Sequence, residues 1–291
     1  MRKQQITGKR LVASVAMLFC FIATSAEAQF GRGPDPAASK AETPRLPSGK
    51  PDLTGSWRSV GGAPEGVPGG MFRRCGPFQE NCMEWTNQTE DWTFMAPSRL
   101  DMNKPLYKPE LWDRVQALDM WTNRDDPVMT CLPLGLPRQG PPGRIFHTDD
   151  DITMLYRGGS DGAGGYAEFR MARLDKTEHT ETDQYAYSYF GRPVVSWEAD
   201  TLVLDSIGFT DETWLGRGGY IHTDQMRITE KFTRTGNELV YEVTIEDPDV
   251  LAEPWVLNPR ILQISNNPTI FAEQGSCTDT ELADVSSQIR H

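Results

Sequence analysis

The feature that most constrains the fold is a run of alternating apolar and polar residues in the second half of the chain. It contains three strand signals, at Thr201 to Phe209, about His222 to Thr233, and Glu238 to Glu246. The last two are separated by the turn residues Thr235-Gly236-Asn237. Consecutive strands with connections this short pair antiparallel, so the sequence predicts a β-meander.

The middle strand of this meander is the most informative. Successive side chains of a strand point to opposite faces, which groups His222, Asp224, Met226, Ile228, Glu230 and Phe232 on one face. The other face has the composition of a water-facing surface. We therefore expect the first face to point inward and to carry a histidine and two acids with it. A carboxylate that points inward needs a partner or a function.

The remaining elements predict a mainly β fold. Strand signals recur at Asp151 to Arg157, Gly165 to Leu174 and Gln184 to Phe190, whereas only Lys108 to Asn123 has helical spacing. Many short strands without βαβ alternation indicate an antiparallel lipocalin-like barrel or strongly curved sheet with one packed helix. A two-sheet β-sandwich is the alternative. A barrel of about eight strands can hold one small ligand.

The N-terminus predicts export. Met1 to Ala28 has a basic start, a short apolar run and an Ala-Glu-Ala cleavage site, as in a secretory signal peptide. Residues 29–51 are rich in proline, glycine and charge and predict a disordered leader, and residues 52–291 predict a single β-rich domain. We expect a periplasmic or secreted protein with no membrane anchor after cleavage.

Charge and cysteine content narrow the partners. The chain has 29 Lys and Arg against 41 Asp and Glu, a net charge of -12, which argues against nucleic acid and anionic lipid. Four cysteines remain after cleavage, and in an oxidising compartment we expect disulfides, with Cys75 to Cys82 and Cys131 to Cys277 favoured among three possible pairings. They lie in no zinc pattern, and His147 beside three consecutive acids resembles a solvated hairpin end, so no metal site is predicted.

Candidate catalytic residues come from the predicted inward face and from the loop before it. His222 with Asp224 or Asp211 has the pattern of an oriented general base, and Glu230 that of a carboxylic acid kept protonated by an apolar wall. Tyr156 or Tyr189 could donate a hydrogen bond to a developing oxyanion. Alternatively, Glu230 pairs with an inward arginine such as Arg170 and is structural.

Candidate ligand-binding residues are aromatic or large and apolar. They are Tyr185, Tyr187 and Tyr189, which would share one face of a strand, together with Trp214, Met226 and Phe232. The sequence thus predicts an exported, cofactor-independent lyase, isomerase or hydrolase that acts on a small apolar or aromatic compound inside a barrel. The alternative is a periplasmic binding or carrier protein without catalysis.

Several segments also resemble one family of exported, largely uncharacterised proteins of environmental Gram-negative bacteria. They are PDLTGSW from Pro51, CLPLGLPR from Cys131, DTLVLDSIGFTDETWL from Asp200, HTDQMRITEKFTR from His222 and LVYEVTIEDP from Leu239. The resemblance implies export and a shared β-rich fold, and it implies no catalytic residue. One departure is Ala199, because the family has Gly-Asp-Thr-Leu where this chain has Ala199 to Leu202.

Overall fold

The meander predicted from the alternating residues forms the central part of the sheet. A computed structural model of the protein describes residue 35 and residues 37–60, 71–73, 84–86, 103–120, 125–130, 132–156, 168–216 and 219–265. These residues belong to one compact unit, Arg32–His291. Within it β8 (Thr201–Ile207), β9 (Arg227–Thr235) and β10 (Glu238–Glu246) pair antiparallel in chain order.

Ten strands form one sheet that curls into a nearly closed barrel. The other strands of this sheet are β1 (Gly55–Ser59), β4 (Arg144–His147), β5 (Asp151–Leu155), β6 (Phe169–Arg173), β7 (Arg192–Glu198), β11 (Trp255–Val256) and β12 (Arg260–Ile264). Around the barrel the order is β6-β5-β4-β1-β12-β10-β9-β8-β7, so the first strand pairs with the last. The antiparallel barrel prediction is confirmed, and the two-sheet sandwich is wrong because the strands share one sheet. Residues Met71–Arg73 (β2) and Glu84–Thr86 (β3) form a separate hairpin.

The barrel remains open along one seam, between β6 and β7. The backbone amide of Val195 on β7 donates to the carbonyl of Lys176, just beyond β6, at 2.8 Å, but no β6–β7 ladder continues it among the described residues. Pro193 lies on the same edge as Val195, where its lack of an amide hydrogen costs no ladder bond. The residue pattern does not predict β7, because a proline within a short apolar run argues against a strand.

Alternation along the strands defines the interior of the barrel. In β9 the buried residues are Ile228, Glu230, Phe232 and Arg234, and in β10 they are Leu239, Tyr241, Val243 and Ile245. On β5 Ile152 and Met154 are buried, and Tyr156 follows them. The predicted inward face is therefore confirmed from Met226 to Phe232.

The lower end of the barrel, where β9 turns into β10, is covered by the N-terminal segment, residues 37–54. Asn237 donates its amide to Ala38, Arg45 pairs with Asp200 at 2.6 Å, and Leu53, which is completely buried, donates its amide to His147 Nδ1 at 3.2 Å. The prediction of a disordered leader up to Pro51 is thus wrong from Ala37 onward, because this segment contacts three hairpins of the barrel.

The upper end, where β8 ends and β9 begins, is covered by two segments. Residues 134–143 are all buried, and the ion pair between Arg138 and Asp126 (2.7 and 2.8 Å) holds them to the preceding 3₁₀ turn. The predicted helix is present as α1 (Trp112–Met120), preceded by a 3₁₀ turn at Pro109–Leu111. Val115 of this helix is buried, whereas Trp112 is 49% exposed. No helix of the described part of the chain is long and apolar enough to span a bilayer.

Two predicted strands differ from the structure. Residues 184–190 form no strand: the 3₁₀ turn Asp183–Tyr185 is followed by turns and by a single bridge between Ser188 and Phe209. β9 begins at Arg227 rather than near His222, because residues 223–226 form a turn closed by a bond from the Met226 amide to the Thr223 carbonyl at 3.2 Å. The proposed signal peptide and the four cysteines lie outside the described residues.

Candidate functional site

The most unusual feature of the barrel interior is a buried charged cluster. It is formed by Arg170 on β6, Ser206 on β8, Glu230 on β9, Tyr241 on β10, and Tyr156 directly after β5. All five side chains are buried, and Glu230 is 0% exposed. Each reaches the interior because it lies at an inward position of its strand, so the fold concentrates these polar groups where the other neighbours are apolar.

The hydrogen bonds of this cluster centre on the ion pair. Arg170 donates from Nη1 to Glu230 Oε2 and from Nη2 to Ser206 Oγ. The hydroxyl of Tyr241 donates to the second carboxylate oxygen, Glu230 Oε1, at 2.9 Å. Glu230 therefore pairs with Arg170, as the structural alternative in the sequence analysis predicted, and it accepts hydrogen bonds as a carboxylate does.

Burial and charge fix the protonation of the tyrosines and the arginine. Burial, followed by the nearby carboxylate of Glu230, raises the pKa of both Tyr156 and Tyr241 well above its usual range. Burial opposes the charge of Arg170, but Glu230 and Tyr156 outweigh it and raise the pKa of the guanidinium. At neutral pH the cluster thus holds one cation, one anion and two neutral phenols, with no net charge.

One donor of the cluster has no partner among the described residues. The Nε–H group of Arg170 is buried and makes no hydrogen bond. The hydroxyl of Tyr156, in the same cluster, has as its hydrogen-bond partner the thioether of Met154 at 3.8 Å. A thioether is a weak acceptor. The cluster therefore contains two poorly satisfied donors at buried positions, where an unmade hydrogen bond costs about 1–3 kcal/mol.

Aromatic rings surround the cluster. The ring of Tyr156 lies 5.1 Å from that of Phe190, and the ring of Phe232 lies 5.0 Å from that of Tyr241 (centroid distances), both in tilted arrangements. Phe232 is fully buried, as is Met226 at the start of the same face. The predicted residues Tyr156, Glu230 and Phe232 thus share the barrel interior, and the polar cluster has apolar aromatic walls.

His222 lies at the upper end, in a separate polar cluster. Its Nδ1 atom is 3.1 Å from the carbonyl oxygen of Thr223, and because a carbonyl only accepts, Nδ1 carries the proton. Its Nε2 atom then accepts from the Thr213 hydroxyl at 2.8 Å. Burial lowers the pKa of His222, although Thr223, Asp247 and Asp211 oppose the shift, so the imidazole is neutral.

The remaining predicted catalytic acids lie on the outside of this upper end. Asp211 is exposed, and Asp224 is half-buried in the turn before β9, where it accepts from the hydroxyl of Tyr187 at 2.9 Å. The expectation that Asp224 shares an inward strand face with His222 is wrong, because neither residue is in the strand. The acid that organises the region is instead Asp247, which accepts from the amide and hydroxyl of Thr223 at 2.7 and 3.0 Å.

The predicted tyrosine face is also wrong. Tyr185 and Tyr187 are 69% and 49% exposed, whereas Tyr189 is half-buried against the core and donates from its hydroxyl to Glu212 at 3.1 Å. They cannot share a strand face because residues 184–190 are not a strand. Trp214, in contrast, is buried in the β8–β9 connection, where it bridges Ile221.

A groove of about 440 Å³ lies outside the barrel, between the turn at residues 223–226 and the β10–β11 connection. It is lined by Gln225, Arg227, Glu246, Pro248, Leu251 and Pro254, among others. Arg227 donates to Asp205 at 2.7 Å, so the cation at this groove is already paired.

Three polar residues of interest were not predicted. Ser206 and Tyr241 lie at inward positions of strands whose periodicity was recognised, so alternation could have identified them. His147 is buried on β4, stacked 6.0 Å from Trp197 (centroid distance), rather than at a solvated hairpin end. Its burial depends on residues 50–54, which no local pattern reveals.

The described residues contain no group of His, Cys, Asp and Glu with metal-binding geometry.

No family model matches the sequence, and no curated protein matches it either. Among solved structures, a mutant of the fluorescent protein UnaG is similar over 42% of this chain and 69% of that one, with 17% identity and a TM-score of 0.25. What the protein does is therefore inferred from its own side chains.

Proposed function

We propose that this protein binds a small apolar or aromatic molecule inside the barrel, with the Arg170 cluster as the polar anchor. The observation that carries the proposal is the buried Nε–H group of Arg170, which has no partner among the described residues. The large majority of buried side-chain polar atoms in native proteins have a hydrogen-bond partner, either in the protein or in an ordered water molecule. A bound ligand would supply the missing acceptor.

The surroundings of the cluster support a ligand that is otherwise apolar. Tyr156, Phe190, Phe232 and Met154 are packed around it, so a molecule that reached Arg170 would contact rings and a thioether. Ligand sites commonly combine apolar walls with a few placed polar groups. The signal peptide predicted from Met1 to Ala28 is the basis of the further proposal that binding occurs outside the cytoplasm, in the periplasm or beyond it.

Native mass spectrometry tests the proposal directly. The protein is purified without detergent from its native host, and its mass is compared before and after gentle denaturation. We expect the wild type to retain a small molecule. The fraction of protein that retains it should fall more in Arg170→Lys than in Arg173→Lys. Arg173 lies on the same strand but is exposed, so it is a matched control. A clean apo mass, with no thermal shift across a panel of small aromatic compounds, would refute a binding function.

A second candidate function is acid–base catalysis at His222, in a lyase, isomerase or hydrolase without a cofactor. It is favoured by one geometric feature: the Thr213 hydroxyl donates to a neutral imidazole that the Thr223 carbonyl orients. This is how a base is arranged to activate a hydroxyl group. Incubation of the retained compound with the wild type and with His222→Gln distinguishes the two functions. Conversion by the wild type alone indicates an enzyme, whereas unchanged compound indicates a binding protein.

A further inference from the structure

We infer that the ligand of the interior cluster carries a neutral hydrogen-bond acceptor, such as a ketone, ester or amide carbonyl, rather than a carboxylate. The inference rests on the proposed binding function and deepens it by naming the chemical group that the anchor recognises. It follows from the number of donors and acceptors in the cluster and from its net charge.

The donors outnumber the acceptors that serve them. One carboxylate oxygen of Glu230 already accepts from Arg170 and the other from Tyr241, and the Ser206 oxygen accepts from Arg170. The Nε–H of Arg170 makes no hydrogen bond, and the Tyr156 hydroxyl, whose oxygen interacts with the Arg170 guanidinium, has a thioether as the acceptor for its hydrogen. A ligand group that only accepts would complete both. A carbonyl oxygen has two lone pairs and can accept from two donors at once.

Charge selects between a carbonyl and a carboxylate. Arg170 is the cation of the cluster, and it is neutralised by Glu230 in direct contact. A ligand carboxylate at the same place would add a second anion to a site with one cation, and a buried uncompensated charge is costly. A neutral carbonyl gains the same two hydrogen bonds without that cost, so the cluster favours it.

The positions of the Tyr156 and Phe190 rings indicate where the rest of the ligand would lie. Tyr156 contributes both the hydroxyl and a ring that packs against Phe190. An acceptor bound to this hydroxyl therefore brings the adjoining part of the ligand close to aromatic side chains. An aromatic ketone combines the acceptor with a flat apolar body, and it is the simplest probe of this arrangement.

The test uses four naphthalene derivatives of nearly equal size. They are 2-acetylnaphthalene, 1-(2-naphthyl)ethanol, 2-naphthoate and 2-ethylnaphthalene, and binding to the intact mature protein is measured by quenching of probe fluorescence. We expect the ketone to bind most tightly and the carboxylate most weakly. Tyr156→Phe should weaken the ketone about fivefold to tenfold, as for one neutral hydrogen bond, and leave the hydrocarbon unchanged.

A spectroscopic readout identifies the interaction itself. The carbonyl stretch of the ¹³C-labelled ketone should move to lower frequency in the wild type than in hexane, and Tyr156→Phe should reverse part of that shift. Arg170→Lys removes Nε–H but keeps the charge, and it should act in the same direction. Should it fail to fold, Tyr156→Phe alone decides.

The outcomes separate the two proposals. If 2-naphthoate or the hydrocarbon bound at least as tightly as the ketone, the carbonyl inference would be wrong while the binding function stood. If the alcohol bound more tightly than the ketone, the cluster would be supplying an acceptor rather than donors, which also overturns the inference. If none of the four bound and no molecule copurified, a buried water would satisfy Arg170, and both proposals would fail.

Discussion

Arg170 and Glu230 depend on each other because each compensates the other's charge in a buried environment. Replacing Glu230 by Ala leaves the guanidinium buried without its counterion, which typically costs about 3–5 kcal/mol. We expect a loss of unfolding free energy in this range, measured by urea denaturation. Glu242→Ala, at an exposed position of the neighbouring strand β10, should stay within about 0.5 kcal/mol of the wild type.

The double variant Arg170→Met with Glu230→Leu separates charge from packing. If lost compensation is the cause, removing both charges should recover much of the stability that Glu230→Ala loses. A Glu230→Ala variant as stable as Glu242→Ala would mean that water already reaches the pair, and the cluster would not be a dry site.

Ala199 has a backbone conformation that favours glycine. It has a φ of 54° at the first central position of the β7–β8 hairpin, and no other described non-glycine residue has a positive φ. A type II′ hairpin turn takes glycine there. Ala199→Gly should therefore raise the unfolding free energy by about 0.5–1 kcal/mol, since relief of the strain of a positive φ exceeds the added chain entropy.

Gly49 provides the opposite experiment. Its φ is +83°, and a Cβ atom added there would meet nothing within 4 Å, so Gly49→Ala tests backbone conformation without a steric clash. We expect it to lower the unfolding free energy by about 1 kcal/mol. Equal signs for the two substitutions, measured by the same denaturation, would contradict the conformational explanation.

At the scale of elements, the contact between the N-terminal segment and β4 depends on a neutral histidine. Leu53 donates its amide to Nδ1 of His147, so that atom carries no proton. Burial lowers the pKa of His147 below its usual 6.5, although Asp52, Asp149 and Asp151 oppose the shift. The unfolded chain therefore takes up a proton at a pH where the folded chain does not, and stability falls as the pH drops below about 6.5.

The measurement is urea denaturation at pH 7.5 and pH 5.5. We expect the wild type to be less stable at pH 5.5, and His147→Asn to lose less between the two values, because asparagine can accept from Leu53 without titrating. Part of the loss should remain, since burial also lowers the pKa of His222. Burial opposes the charge of Asp183, but hydrogen bonds from Thr180 and Lys176 outweigh it and lower the pKa of Asp183 to about 2. Asp183 therefore changes stability only at a lower pH. A wild type equally stable at both values would contradict the assignment.

Alternation predicted the elements that pair along their whole length and failed where local hydrogen bonds compete. The predicted boundaries of β10 are correct to the residue, and Glu230 points inward as expected. Residues 184–190 alternate too, but Asp183 accepts from the Thr180 amide at 2.7 Å and from Lys176 at 2.9 Å, which favours a turn. In the same way Thr223 and Asp247 hold a turn that takes Asp224 out of the strand. Asp247 is distant in sequence from the Thr223 turn, whereas Thr180 and Lys176 are close to Asp183 and compete with strand formation. The apolar periodicity of a segment contains neither kind of information.

At the scale of the whole molecule, the Arg170 cluster crosses the seam between β6 and β7, which no ladder closes among the described residues. β6 and β7 are the two edge strands of the sheet and face each other across the seam. On the β7 side, the next strands of the sheet are β8 and then β9. Arg170 on β6 reaches Ser206 on β8 and Glu230 on β9 from inside. The side chains therefore tie together two parts of the sheet that lack a backbone ladder, and the same cluster that would anchor a ligand also closes the barrel.

Amide hydrogen exchange tests this dual role. The Val195 amide bonds to Lys176 across the seam, so its exchange reports seam opening, whereas amides within β9 and β10 report opening of the central sheet. We expect Val195 to exchange faster than the β9 and β10 amides in the wild type, and Arg170→Lys to accelerate it at least about tenfold, a local loss near 1.4 kcal/mol. Arg173→Lys, exposed on the same strand, should leave it unchanged. If Arg170→Lys accelerated exchange of the β9 and β10 amides and of Val195 by the same factor, the cluster would stabilise the domain as a whole and would not specifically stabilise the seam.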